Sequence, residues 1–154
     1  MFKVQEHGPQ CSEHDIAEFE RFIHSHLPSD YRAFLLKWNG CIPGVLSDTY
    51  HSTVKLPGGN EVTVEVFYSL SRTFAKLGNL HKKLESNVGI VSHQSIPIGH
   101  DSFGNLICLD CETGNVSWLL MESRFTFDLH RDFDLGIPFG VWIESLGPGP
   151  YAQA

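Results

Sequence analysis

The residues with the most chemistry to offer in this chain are four cysteines and nine histidines. Cys108-Leu109-Asp110-Cys111 has the CxxC spacing of zinc ribbons and thiol redox centres. It falls in a strand-like run, where side chains at odd separation face opposite ways, so its two sulfurs could share an ion only across a sharp turn. No second CxxC exists, and Cys11 and Cys41 have no ligand-like spacing. The histidines are scattered. His24 and His26 differ by two on a predicted helix and do not face one way, and His93 and His100 only flank a strand. There is no HExxH, and no GxSxG elbow places a serine nucleophile. Gly58-Gly59 is followed by neither Lys-Ser nor Lys-Thr and leads into a strand, so it reads as a turn rather than a phosphate cradle. The residues therefore nominate no catalytic group, cofactor or metal. A small metal- or thiol-dependent enzyme built on these cysteines and histidines is the alternative that metal analysis would test.

Charge is the next resource. The net charge is −7, and its placement is uneven. Residues 1–84 carry nine acidic and nine basic side chains, whereas residues 85–154 set nine acidic ones against Arg124 and Arg131. An acidic second half argues against nucleic acid and anionic membranes as partners and is compatible with a basic protein. The bland reading is that it keeps the protein soluble.

The length of 154 residues suits one domain with a sizeable core. No apolar run reaches membrane-spanning length, and MFKVQEHGPQ at the start lacks the apolar centre of a signal peptide. The expected location is the cytoplasm, where the cysteines are reduced, mostly small apolar packing residues.

The elements that must position these groups are centred on Leu27 to Gly40, LPSDYRAFLLKWNG. Pro28, Ser29 and Asp30 favour a helix start. Tyr31, Phe34, Leu35 and Trp38 then form one apolar stripe, and Asn39-Gly40 is the expected left-handed stop. Before it, Ser12 to Asp15 resembles a capping box for a helix over 13–26, with Ile16, Phe19, Ile23 and Leu27 on one face. Val54 and Leu56, the turn 57–60, and Val62 to Val66 predict a hairpin. Phe74, Leu77, Leu80 and Leu84 predict a third helix over 73–85. Ile96 to Gly99, Leu106 to Leu109 and Val116 to Leu120, separated by turn-rich stretches, predict an antiparallel meander. Phe125, Phe127 and Leu129 alternate like a strand, 130–136 reads as loop, and Phe139, Trp142, Ile143 and Leu146 predict a last helix opened by Pro138 and stopped by Gly147-Pro148. The fold class is α+β, a helical pair followed by a mostly antiparallel sheet with further helices packed against it.

Two blocks then point to a family. LPSDYRAFLLKWNG, with its Leu-Pro, Tyr, Phe-Leu and Asn-Gly, resembles the opening signature of the SUKH superfamily, which holds fungal cell-wall glucan-synthesis regulators of Smi/Knr type and many bacterial immunity proteins. Ile96-Pro97-Ile98-Gly99, Asp101, Gly104-Asn105, Leu109-Asp110, Gly114 and Val116 resemble its second motif, in order and at roughly the family's spacing. The C-terminal end departs from it: the family commonly has an Ala-x-Ser-Phe run where this chain has Gly136 to Gly140. The resemblance implies a SUKH-like domain over 12–147, with 1–11 as an N-terminal extension and 148–154 as a tail. It also implies a binding protein without a cofactor. Bacterial members typically neutralise a cognate polymorphic or contact-dependent toxin domain by binding it, and fungal members act as regulatory scaffolds.

On this reading the expected function is immunity against a basic toxin domain, with a scaffold unrelated to toxins as the runner-up. The candidate contacts are the acidic residues of the second half: Asp101, Asp110, Glu112, Glu122, Asp128, Asp132 and Asp134, with Asp48 and Glu61 as additions. Carboxylates there would speed encounter with a basic partner, and Phe103 and Phe125 would supply apolar anchors. For Asp101 and Asp110 the favoured structural reading is that each carboxylate satisfies backbone N–H groups of its own turn.

Overall fold

The computed structural model describes residues 3–44, 50–52, 62–77, 95–119 and 132–148. The helical pair is α1 (Glu13–Ile23) and α2 (Ser29–Lys37). The expected capping box forms: the Asp15 N–H donates to Ser12 Oγ at 3.1 Å, and the Ser12 N–H donates to Asp15 Oδ2 at 2.9 Å. Helix α1 ends three residues earlier than expected, at Ile23, with His24 in the left-handed conformation. Glu20 then bridges to α2. Its carboxylate accepts the Leu27 N–H at 2.8 Å and the Arg32 guanidinium at 2.8 Å, and Arg32 also reaches Glu13. One arginine thus ties both helices across a short link.

Tyr31 and Leu35 of α2 are buried, while Phe34 and Trp38 are half-buried. The helix stops before Trp38, which caps it at φ −135°, so Asn39 is not the cap the sequence suggested. Gly40 takes the positive φ of 84°, and a Cβ there would lie 2.9 Å from the Ser69 backbone nitrogen.

Among the described residues the sheet has nine strands, all pairs antiparallel: β1 (Val4–His7), β2 (Cys41–Pro43), β3 (Tyr50–Ser52), β4 (Val62–Phe67), β5 (Ser95–Asp101), β6 (Leu106–Asp110), β7 (Asn115–Leu119), β8 (Asp132–Pro138) and β9 (Gly147–Pro148). The main path is β1-β2-β4-β5-β6-β7-β8, and β3 joins β4 and β9. The residues expected to form an N-terminal extension therefore contain an edge strand. The meander β5-β6-β7 forms as expected. The hairpin partner of β4 is β3, whereas Val54, Leu56 and the turn 57–60 lie outside the described residues, as does the strand expected at 125–129.

Residues 132–138, expected as loop and helix start, form β8 instead. A bulge explains why the alternation is hidden. Ser117 pairs with Asp134 and Asn115 with Pro138, so β8 carries extra residues; the Gly136 N–H donates to Asp134 Oδ1 at 2.7 Å, and Gly136 has φ 66°. Gly147-Pro148 likewise adds a short strand rather than only ending a helix.

A third helix, α3, occupies residues 70–77, and α4 spans Phe139–Ser145. The inward stripe of α3 is Leu70, Thr73 and Leu77. Phe74, expected in that stripe, is 46% exposed, and Leu80 and Leu84 lie outside the described residues. On α4 the expected set Phe139, Trp142, Ile143 and Leu146 is buried, with Trp142 edge-on to Trp118 at 5.6 Å and to Phe67 at 5.9 Å. The main core lies between the helices and one face of the sheet, and a smaller cluster of Val66, Tyr68, Leu106, Cys108 and Leu119 forms separately. A bulge between Val64 and Val66 is what sends these two valines to different clusters. The fold class is the α+β arrangement the pattern implied.

Candidate functional site

The polar residues of the two signature blocks are occupied inside the fold. Asp101 is fully buried and accepts from the Phe103 N–H at 2.8 Å, the Asn105 N–H at 3.0 Å, the Asn105 side-chain amide at 3.0 Å and the Trp118 indole N–H at 3.0 Å. Four donors make this carboxylate the organiser of the β5-β6 turn. Asp110 accepts from the Glu112 and Thr113 N–H groups at 2.8 and 3.2 Å and closes the next turn. Asp30 accepts the Tyr31 N–H at 2.7 Å and, across the domain, the Gly140 N–H at 2.8 Å. Asn39 donates to the Pro9 carbonyl at 2.9 Å and accepts the Leu70 N–H at 2.8 Å, so it joins the N-terminal segment to the start of α3.

Among the described residues, the expected contacts fall at both ends of β6. Asp101 is withdrawn from the surface entirely, so the turn reading is the one realised and Asp101 does not belong to an exposed acidic face. Phe103 sits on its turn 78% exposed, held by the bond its N–H donates to the Asp101 carboxylate. Asp110 and Glu112 lie at the other end of β6, and Glu112 is exposed. Asp132 pairs through its backbone with Leu119, at the Phe103 end, and Asp134 is exposed on the bulge of β8. Asp48, Glu61, Glu122, Phe125 and Asp128 lie outside the described residues.

The sulfurs of the CxxC part as the alternation required: Cys108 packs in the smaller cluster, and Cys111 packs against the main core. Burial pushes the Cys41 and Cys111 thiols up to about 12 and raises Cys11, so these remain protonated and poor ligands. Among the described residues no group of three His, Cys, Asp or Glu side chains could hold a metal ion. His100 is placed with Tyr68, whose hydroxyl is 2.8 Å from His100 Nδ1, and Glu65 lies 3.9 Å from Nε2. Burial holds this imidazole below its ordinary value, Glu65 opposes that, and Arg72 and Lys76 reinforce it. Both cations stand over the Tyr68 ring, at 4.5 and 5.9 Å.

One surface feature was missed by the sequence reading. A cleft of about 460 Å³ lies between α1 and α3, lined by Asp15, Glu18, Phe19, Asn39 and Phe74 among others. Beside it Phe22, 45% exposed, packs on Phe74 with ring centroids 4.4 Å apart. Phe22 falls off the inward stripe of α1, which is the signal the sequence offered.

A helical pair on an antiparallel sheet, with its signature acids closing turns and capping helices, defines an α+β scaffold domain whose motifs serve the fold. The chain belongs to the SMI1/KNR4 family (SUKH-1), whose model matches residues 10–134. It is similar to the SPbeta prophage-derived uncharacterized protein YokK of Bacillus subtilis (strain 168), 29% identical over 113 residues, which cover 66% of this chain and 57% of the relative. The chain thus spans a little over half the length of that relative. Among the described residues no helix is long and apolar enough to cross a membrane.

Proposed function

We propose that this chain is a non-catalytic immunity protein that binds a cognate toxin domain, basic in charge, and blocks its active site or substrate access. The observation that carries the reading is the fate of the signature polar groups in a chain that belongs to this family. Asp30, Asn39, Asp101 and Asp110 are all committed to backbone donors or carbonyls, which leaves them for architecture and leaves recognition to the surface. Two observations support this: the net charge of −7, which favours a basic partner, and the 78% exposure of Phe103 on its braced turn, which suits an apolar anchor. The prophage origin in the name of the YokK relative fits a role in competition between genomes.

The test is affinity capture of the tagged chain from its source cells, with mass spectrometry of what survives a moderate-salt wash, since salt removes screened charge contacts and spares specific interfaces. One dominant partner with a toxin domain supports the proposal. Several partners of moderate affinity point to the scaffold reading and count against it.

A further inference from the structure

We propose that the cleft between α1 and α3 is a docking site for a basic protein segment, seating a lysine or arginine beside Asp15 and Glu18 and an apolar side chain on Phe74. The described lining contains these two carboxylates and no Lys, Arg or His. Its floor is apolar, with Phe19 buried and Phe74 in edge contact with it at 6.5 Å. The paired rings of Phe22 and Phe74 are each nearly half exposed on two different helices, which enlarges the apolar seat beyond the cleft.

Charge selects the occupant. A second copy of this chain would bring another net −7 to an acidic cleft, which like-charge repulsion opposes. A basic segment meets Asp15, which its bonds with Ser12 keep ionised below the usual carboxylate range. It also meets Glu18, which among the described residues pairs with the exposed His14 at 3.1 Å, a contact an incoming cation can displace. Asn39 fixes one wall by tying Pro9 to Leu70, so the cleft is formed before a partner arrives. The choice of a basic occupant rests on the proposed function; the geometry of the cleft does not.

The test is a titration of the isotope-labelled full chain, followed by amide NMR, with a blocked hexapeptide of alternating arginine and leucine. Twin peptides carry glutamate for arginine or serine for leucine. Amide shifts should centre on Asp15, Glu18, Phe19 and Phe74. Phe74→Ala and the serine twin should each weaken binding about tenfold, Glu18→Gln should weaken it roughly threefold, and the glutamate twin should not bind. The exposed position of Phe74 keeps its variant folded, and Phe22→Ala, with an unchanged amide spectrum elsewhere, is a second variant expected to weaken binding. Shifts confined to residues 110–114 or 132–136, unchanged affinity in both aromatic variants, or no shift at millimolar peptide would overturn the proposal. Binding in the cleft together with failure to capture a toxin would instead sink the immunity reading and leave the docking site standing.

Discussion

Asp30 caps helix α4 from far away in the chain: its Oδ2 accepts the N–H of Gly140, 110 residues later, at 2.8 Å. Helix α4 has Pro138 at its N-cap and no side-chain cap of its own, so α2 supplies the missing acceptor. The contact fastens the C-terminal helix to the helical pair and places Phe139 edge-on to Tyr31 at 5.2 Å. Asp30→Ala is expected to cost about 1–2 kcal/mol, with Asp30→Asn costing less, measured by urea unfolding. An Asp30→Ala variant as stable as the parent would remove this cap from the account.

Asp101→Ala should be the more damaging change. It strands the buried Trp118 indole N–H and two part-buried backbone N–H groups of the turn, and we expect a loss of about 3 kcal/mol with an altered Trp fluorescence spectrum. A loss below about 1 kcal/mol would mean that water replaces the carboxylate.

The pH response has two windows. His100 is held below its ordinary 6.5, so as pH falls below that value the unfolded chain takes up a proton first and stability drops, levelling off once the folded His100 is protonated as well. His100→Gln should flatten this slope. For Glu20, burial alone would raise the carboxyl, but the Leu27 N–H, Arg32 and His26 outweigh it and hold the group below 4.5. Its contribution is present above 4.5 and is lost as pH falls through the lower folded value. Thermal melts of the parent, His100→Gln and Glu20→Gln across pH 3–8 check both signs; equal slopes in all three would contradict them.

Thiol chemistry offers a further check. With Cys41 and Cys111 pushed up to about 12, and Cys11, Cys41 and Cys108 buried, a thiol reagent at neutral pH should modify the half-buried Cys111 slowly and the other three only after denaturant. Rapid reaction of Cys108 and Cys111 together would revive the CxxC as a redox pair.

Electrostatic steering can be read at the β8 edge. Reversing charge at Asp132 and Asp134 should slow association with a basic toxin about tenfold at low salt and much less at high salt. Because Asp134 also closes the bulge through the Gly136 N–H, Asp134→Asn is the control that keeps the turn and loses the charge. An unchanged association rate would end the acidic-surface account.

Much of this architecture could be read from local pattern. The capping box of α1, the start of α2 and the buried stripe of α4 each depend on residues within one or two helical turns of one another, and the meander on strands joined by short turns. What the pattern hid was set by distant partners. Strand β8 is obscured by its bulge, and Phe74 is misplaced because Thr73, a polar residue, takes the buried inward position. Asn39 looked like a helix cap because its real partners, Pro9 and Leu70, lie some thirty residues away on either side. The turn roles of Asp101 and Asp110 were legible, whereas the separation of the acidic residues onto opposite ends of β6 depended on strand order.

The most direct measurement is protection in cells. The toxin domain captured with this chain is expressed in a sensitive host alone, with the parent chain, and with the Phe103→Ala and Asp132/Asp134 charge-reversed forms. The result expected is growth arrest by the toxin alone, full rescue by the parent through a stoichiometric complex, and weakened rescue by the altered forms. Growth arrest that persists with the folded parent chain present, or rescue without a complex between the two proteins, would contradict the account.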